Sequence, residues 1–189
     1  MIRRFSLWLY RITTSRIALS CFLIFLFFSV FVLPGQSAGA DTYSEGAGSP
    51  DLSFFYSAKE LYAIADAYSD EGREAYIQAR FTFDLVWPIL YTLFLTIAIS
   101  WLFVRAISPY SWLRMTNLVP ILGMVFDYLE NSSTSLVMGR YPVQTTGIDS
   151  LASVFTLLKW VFIAVALMLL VVGATLAVAR WVGRSRKSR

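Results

Sequence analysis

The feature that most constrains this chain is a series of four long apolar runs separated by polar segments. An α-helix rises about 1.5 Å per residue, so about 20 apolar residues are needed to cross a hydrocarbon core of about 30 Å. Each run nearly reaches or exceeds that length. The pattern predicts four membrane-spanning helices at about residues 17–34, 83–105, 112–138 and 150–182.

The composition agrees with a lipid environment. Of the 189 residues, 57% are apolar and only 15% are charged, and the mean hydropathy is +0.62. Soluble domains contain about 25% charged residues on average. The polar segments are also too short for a separate soluble domain. We therefore expect one all-α membrane domain over residues 1–189, folded as an integral membrane four-helix bundle.

The first apolar run has two interpretations. It follows a basic lead and resembles the core of a secretory signal peptide, with Ala38-Gly39-Ala40 as a possible cleavage site. The run from Ile17 to Leu33 exceeds the usual signal core of about 7–15 residues, however. We therefore expect residues 1–40 to be retained, with a membrane helix that stops at Pro34-Gly35.

The distribution of basic residues predicts the orientation of the helices, because cytoplasmic loops are enriched in Lys and Arg. The two termini and the segment between the second and third runs hold eleven of the sixteen basic residues and none of the twelve acidic ones. The eleven are Arg3, Arg4, Arg11, Arg16, Arg105, Arg114, Arg180, Arg184, Arg186, Lys187 and Arg189. We therefore expect a multi-pass protein of the cell membrane with both termini in the cytoplasm.

The basic termini also indicate the partners of the chain. The tail at residues 183–189 directly follows a membrane run, where a cationic cluster orients the helix and contacts anionic lipid headgroups. We therefore expect no nucleic-acid partner. The expected partners are the bilayer and either another membrane protein or further copies of this chain.

Residues 35–82 predict a helical extracytoplasmic cap between the first two membrane helices. Residues 36–50 are rich in Gly, Ser and Ala and are expected to be flexible. Ser57 and Glu60 have the spacing of a capping box, which predicts a short helix from this point. The apolar face of that helix would consist of Leu61, Ile64, Ala65 and Tyr68.

A second cap helix is expected to start at Ser69 or Asp70 and to continue into the second membrane helix. Arg80 and Asp84 lie four residues apart on it. This spacing predicts an ion pair on the helix surface.

The third apolar run carries an unusual set of polar residues on one helical face. They are Asp127, Glu130, Asn131 and Thr134, at i, i+3, i+4 and i+7. An ionisable side chain in hydrocarbon costs a few kcal/mol, so each needs a partner or a function. Lys159 in the fourth run lies at a similar depth by helical rise. We predict an ion pair between Lys159 and either Asp127 or Glu130.

We expect Asp84 to join this set, with Tyr91 and Thr156 as hydrogen-bonding neighbours. The complete candidate site consists of Asp84, Tyr91, Asp127, Glu130, Asn131, Thr134, Thr156 and Lys159. Three interpretations are open. The set is a structural ion pair that fixes helix packing, a binding site for a polar headgroup, small amphiphile or cation, or a proton-relay or acid–base site.

The residues that the chain lacks narrow its chemistry. It has no His and one Cys, Cys21, which excludes His-ligated zinc, His general bases and an internal disulfide. No enzyme, transporter or receptor motif is present, and we expect neither a metal nor a cofactor. We therefore expect a non-enzymatic protein, either a subunit of a larger complex or a binder of a lipid-like amphiphile in the outer half of the bundle. The alternative is a membrane enzyme or a proton- or cation-coupled carrier that uses Asp127, Glu130 and Lys159.

Overall fold

The computed structural model describes residues 1–44 and 46–187 of the chain. Every regular element within these ranges is helical, which confirms the all-α prediction. The α-helices are α1 (Ile2–Ile12), α2 (Ser15–Phe27), α3 (Leu33–Tyr43), α4 (Ala58–Ala67), α5 (Asp70–Arg80), α6 (Phe83–Ala106), α7 (Val119–Arg140) and α8 (Ile148–Lys187). A π-helical turn, Phe28–Val32, joins α2 to α3, and the 3-10 segments are Pro50–Leu52 and Trp112–Leu118.

Three segments in the described part of the chain are long and apolar enough to cross a membrane. They are Ser15–Tyr43, Asp70–Ala106 and Ile148–Gly183. Helix α7 is long enough, with 22 residues, but it falls outside this set because polar side chains interrupt its sequence. The helices that are able to cross a membrane, by length and composition, are therefore those that contain the first, second and fourth apolar runs.

The expected stop at Pro34-Gly35 is wrong. The chain remains helical through the π turn and α3 as far as Tyr43, so the predicted flexible segment is helical over its first part. Pro34 lies in the first turn of α3, where a helix tolerates the missing N–H group. Helix α3 also packs against α5, which gives this part of the chain a partner that local composition does not reveal.

The contact between α3 and α5 depends on a glycine. A Cβ atom placed on Gly72 would lie 2.5 Å from the carbonyl oxygen of Tyr43. The two backbones therefore approach more closely than any residue with a side chain at position 72 would allow.

The predicted capping box at the start of α4 is confirmed. The Ser57 hydroxyl accepts a hydrogen bond from the backbone N–H of Glu60, and the Glu60 carboxylate accepts from the backbone N–H of Ser57 at 2.7 Å. The backbone N–H of Ser57 and its hydroxyl, 2.8 Å away, both donate to the ionised carboxylate and lower the pKa of Glu60 below its ordinary value. Of the predicted apolar face, Leu61, Ala65 and Tyr68 are buried and Ile64 is half-buried.

The α4–α5 segment, residues 58–80, covers one end of the long helices. Leu61 packs with Val137 of α7 and Ala152 of α8, and a second apolar cluster joins this segment to Met138. Helix α5 starts after its N-cap Ser69, as predicted. It does not continue without a break into α6, because residues 81 and 82 form a turn between them.

Helix α6 lies at the centre of the structure and contacts α2, α7 and α8, while α7 and α8 also pack against each other. The main apolar cluster includes Leu95, Ile99 and Phe103 of α6 and Ala166 of α8. The predicted third run starts with the 3-10 segment Trp112–Leu118, so its α-helix begins seven residues later than expected.

Candidate functional site

The predicted ion pair forms between Lys159 of α8 and Glu130 of α7, so Glu130 is the partner among the two acids considered. The two side chains are 6% and 0% exposed. The Thr156 hydroxyl, one helical turn before Lys159, lies 2.8 Å from the other carboxylate oxygen of Glu130 and donates to it. The ion pair therefore links α7 to α8 inside the protein. Each of the two buried charges has the other as its partner.

Asp127 occupies the adjacent turn of α7 and contacts α6. The Tyr91 hydroxyl donates to its Oδ2 at 3.0 Å, and the Asn131 amide donates to its Oδ1 at 3.3 Å. Asp127, Tyr91 and Asn131 are all buried. The i, i+4 spacing of Asp127 and Asn131 thus places the two side chains in contact, as the helical pattern predicts.

Two buried tyrosines that the sequence analysis missed extend these bonds towards the α4–α5 segment. The Tyr76 hydroxyl donates to Thr134 Oγ1 at 3.0 Å, and Thr134 donates to the Glu130 carbonyl oxygen at 2.9 Å. The Tyr56 hydroxyl lies 3.0 Å from Thr156 Oγ1. We call Tyr56, Tyr76, Tyr91, Asp127, Glu130, Asn131, Thr134, Thr156 and Lys159 the polar network.

The sequence contains a signal for only one of these tyrosines. Gly72, Tyr76 and Arg80 recur every four residues and are all buried, so they form one stripe along α5. Tyr56 directly precedes the N-cap Ser57 and belongs to no periodic pattern. Its contact with Thr156 spans 100 residues of chain, which no local rule identifies.

The predicted pair between Arg80 and Asp84 forms, but it is buried rather than on the surface. The two side chains are 6% and 14% exposed. Arg80 Nη2 also donates to Ser49 Oγ at 3.1 Å, and the guanidinium lies 4.3 Å from the centre of the Tyr76 ring. Arg80 is therefore held by an acid, a hydroxyl and an aromatic face at once.

Replacement of Asp84 by Asn should lower the free energy of unfolding by about 2 kcal/mol, because Arg80 loses a charged hydrogen-bond partner in a buried site. The matched control is Asp70→Asn, which removes the acid of the Arg73–Asp70 pair, where Asp70 is 89% exposed. That change should cost less than about 1 kcal/mol. Denaturant unfolding of the detergent-solubilised variants measures both free energies. Equal losses of stability in the two variants would contradict a buried Arg80–Asp84 pair.

A cavity of about 490 Å³ opens beside the polar network, between α2, α3, α6, α7 and α8. Its charged walls are Asp41, Arg80, Asp84, Asp127 and Lys159. Its apolar walls include Phe25, Phe83, Trp87, Phe94, Leu95, Ile163 and Leu167. The cavity therefore has a charged part and an apolar part with aromatic walls.

The charged walls lie towards one end of the cavity, where Phe83 and Trp87 also line it, and only apolar walls continue to the other end. On α6 the lining runs from Asp84 to Leu95, which is eleven residues or about 16 Å of helix. Along this path Phe25 of α2 stacks on Phe94, with ring centres 4.7 Å apart, and also on Trp87. The lining therefore changes from ionic to aromatic and aliphatic over a distance that suits an elongated molecule.

Seven of the eight predicted site residues belong to the polar network, whereas the eighth, Asp84, lines the same cavity and pairs with Arg80. Four of the eight line the cavity, and these are Asp84, Tyr91, Asp127 and Lys159. The other four lie behind them in the polar network, and these are Glu130, Asn131, Thr134 and Thr156. Among the described residues, no group of three or more Cys, Asp or Glu side chains is placed to hold a metal ion.

Comparison with known proteins finds no matching family model, no similar curated protein and no similar solved structure. The fold and site thus define the class as a helical protein with three helices able to cross a membrane.

Proposed function

We propose that this protein is a four-span membrane protein, with both termini in the cytoplasm, that binds a lipid-like amphiphile in the cavity. The observation that carries the proposal is the division of one 490 Å³ cavity into a charged and an apolar part. Ligand pockets typically have volumes of about 300–1,000 Å³, with mostly apolar walls and a few placed polar groups.

The charged part supports a headgroup that carries both signs of charge. Arg80 and Lys159 offer two cations, and Asp41, Asp84 and Asp127 offer carboxylates. The buried ion pairs of Arg80 and Lys159 hold these side chains in fixed positions before any ligand arrives. Such preorganisation lowers the entropic cost of binding.

The apolar part supports an acyl or similar chain. Leu167 of α8 and Phe94 and Leu95 of α6 lie farthest along the helices from the charged walls. A hydrocarbon chain on these residues would be removed from water, which stabilises binding by about 25 cal/mol for each Å² buried.

The fourth span in this proposal is α7. Its 22 residues extend over about 33 Å, enough for a bilayer core. Its buried face carries the acidic and amide side chains, whereas its exposed positions include Leu122, Val125, Leu129 and Leu136. The low apolarity of α7 therefore comes from the side that faces protein, and its outer side suits lipid.

The binding proposal predicts that Leu167→Trp, which adds an indole to the apolar part of the cavity, weakens binding of an amphiphile about tenfold or more. Palmitoyl lysophosphatidylethanolamine is a suitable probe, because it has a zwitterionic headgroup and one chain. Native mass spectrometry of the detergent-extracted protein measures its binding. The matched control is Leu176→Trp, because Leu176 lies on the same helix and is similarly exposed but does not line the cavity.

Three outcomes of that experiment decide between proposals. Loss of probe binding in Leu167→Trp, but not in Leu176→Trp, supports a lipid-like ligand. Equal binding by both variants, or no binding by the parent protein, would overturn it. An empty cavity together with a co-purified membrane protein would instead support the role of a complex subunit.

One observation favours a second candidate, a proton- or cation-coupled carrier. Asp127 and Lys159 both line the cavity, so a ligand there would contact ionisable groups that connect to Glu130. A carrier predicts that ligand entry into proteoliposomes is accompanied by proton movement, which an entrapped pH-sensitive dye reports. A binder predicts no such signal.

A further inference from the structure

Helix α1 is fixed against the end of α6 that lies opposite the charged part of the cavity. The Ser6 hydroxyl donates to Asn117 Oδ1 at 2.8 Å, and the Asn117 amide donates to Ser100 Oγ on α6 at 2.9 Å. All three side chains are at least 99% buried. The Tyr10 hydroxyl also donates to the Arg114 carbonyl oxygen at 2.7 Å. The basic N-terminal segment of the chain therefore forms a helix, α1, that packs against the rest of the protein.

A second, smaller cavity of about 270 Å³ lies where α1 meets the segment around residues 109–115. Two arginines and two serines line it, together with aromatic and aliphatic groups. We call it the arginine pocket, and its lining is Arg3, Ser6, Leu7, Pro109, Tyr110, Ser111, Trp112, Arg114 and Met115. No carboxylate belongs to this lining.

The sequence around the arginine pocket is free of negative charge. Residues 1–40 and 85–126 contain neither Asp nor Glu. The positive charges of Arg3 and Arg114 therefore have no acidic neighbour on the segments that build the pocket. A pocket with two positive charges and no acidic neighbour on these segments favours an anionic ligand.

Arg114 is held in place by groups that leave part of its guanidinium unused. Its Nη2 donates to the Ile107 carbonyl oxygen at 2.8 Å, and the guanidinium lies 5.1 Å from the centre of the Tyr10 ring. Its Nε is buried and has no hydrogen-bond partner. A guanidinium group that is fixed in this way forms strong, directional hydrogen bonds with phosphate oxygens.

The rim of the arginine pocket resembles a membrane interface. Tyr110 and Trp112 are 93% and 75% exposed, and Leu7 and Met115 are exposed beside them. Tyr and Trp favour the level of the lipid headgroups, where an apolar ring and a polar tip are both accommodated. The occupant that fits arginines inside and aromatic groups at the rim is a phospholipid.

We propose that the arginine pocket binds the phosphate of an anionic membrane phospholipid. The site is separate from the cavity of the proposed function, since the two share no lining residue. Arg3 and Arg114 contact the phosphate, Ser111 offers a hydroxyl, and Tyr110 and Trp112 pack against the glycerol and upper acyl region.

The test compares two variants that lose the same charge. Arg3→Gln with Arg114→Gln removes the pocket cations, whereas Arg4→Gln with Arg16→Gln removes two exposed cations that do not line the pocket. Native mass spectrometry of the full chain, titrated with dioleoyl phosphatidylglycerol or dioleoyl phosphatidylcholine, measures binding. We expect the pocket variant alone to lose selectivity for phosphatidylglycerol, by about tenfold or more.

Two results would overturn the proposal. Equal losses in both variants would show that only the general surface charge attracts anionic lipid. Displacement of phosphatidylglycerol by an equal concentration of inorganic phosphate would identify free phosphate as the ligand instead of a lipid. Far-UV circular dichroism checks folding, and Arg3→Gln alone, a change at an exposed side chain, keeps the test decisive if the double variant does not fold.

Discussion

Replacement of Lys159 by Met, with Glu130 retained, should lower the free energy of unfolding by about 3–5 kcal/mol. Glu130 is 0% exposed, so its carboxylate would lose its cation in a site that water does not reach. The Thr156 hydroxyl remains, but a neutral donor does not replace an ammonium group. Denaturant titration in detergent micelles, followed by circular dichroism, measures the loss.

The second variant of this test removes both charges. Lys159→Met together with Glu130→Gln should recover most of the stability and come within about 1.5 kcal/mol of the parent protein, since no buried charge is left unpaired. Lys59→Met is the control for the change of residue type, because Lys59 is exposed on α4 and should contribute less than about 0.5 kcal/mol. A single variant as stable as the parent would contradict the buried ion pair.

The stable double variant also separates structure from function in the polar network. If it binds palmitoyl lysophosphatidylethanolamine as the parent protein does, the Glu130–Lys159 pair serves only to join α7 to α8. If it keeps its fold but loses the probe, Lys159 takes part in ligand recognition at the cavity wall. The two charges then have a role beyond helix packing.

The helices could be predicted because their signals are local. Apolar runs marked the helices that contain them, and the spacing of Ser57 and Glu60 marked the start of α4. The pairing of Lys159 with an acid of α7 followed from depth along two helices and from the cost of an unpaired charge. These inferences need only helical geometry and electrostatics.

The cavity and the packing of α3 and α5 could not be predicted, because they depend on contacts between segments that are distant in the sequence. The helix beyond Pro34 persists where α3 packs on α5, and Tyr76 of α5 reaches Thr134 across 58 residues of chain. The i, i+4 spacing predicted the pair of Arg80 with Asp84, but neither its burial nor the contact of Arg80 with Ser49, 31 residues earlier, could be predicted. Such contacts follow from tertiary packing, which periodicity does not encode.

Composition also misrepresents α7. A hydropathy average treats all sides of a helix equally, whereas α7 places Asp127, Glu130 and Asn131 on the side that faces protein. Its exposed side keeps leucine and valine at Leu122 and Val125 and farther along the helix. The average therefore cannot decide whether α7 crosses the membrane, and its crossing needs a direct measurement.

Cysteine labelling should place the two ends of α7 on opposite sides of the membrane. In a Cys21→Ala background, a cysteine at Tyr110 precedes α7 and one at Gln144 follows it, and both positions are exposed. We expect a membrane-impermeant maleimide to label Gln144→Cys on intact cells, and Tyr110→Cys only after the membrane is opened. The reason is that the segment at residues 105–114 carries Arg105 and Arg114 and no acid, a composition that favours the cytoplasmic side.

Two further positions complete the orientation. Lys59→Cys, exposed on α4, should react on intact cells, and Ser188→Cys in the basic tail should react only after lysis. This pattern requires an even number of crossings with both termini inside, which three spans do not provide. Labelling of Tyr110→Cys and Gln144→Cys from the same side would contradict α7 as a span. The charged part of the cavity, beside Asp84 and Arg80, would face the outer leaflet only if the predicted pattern is observed.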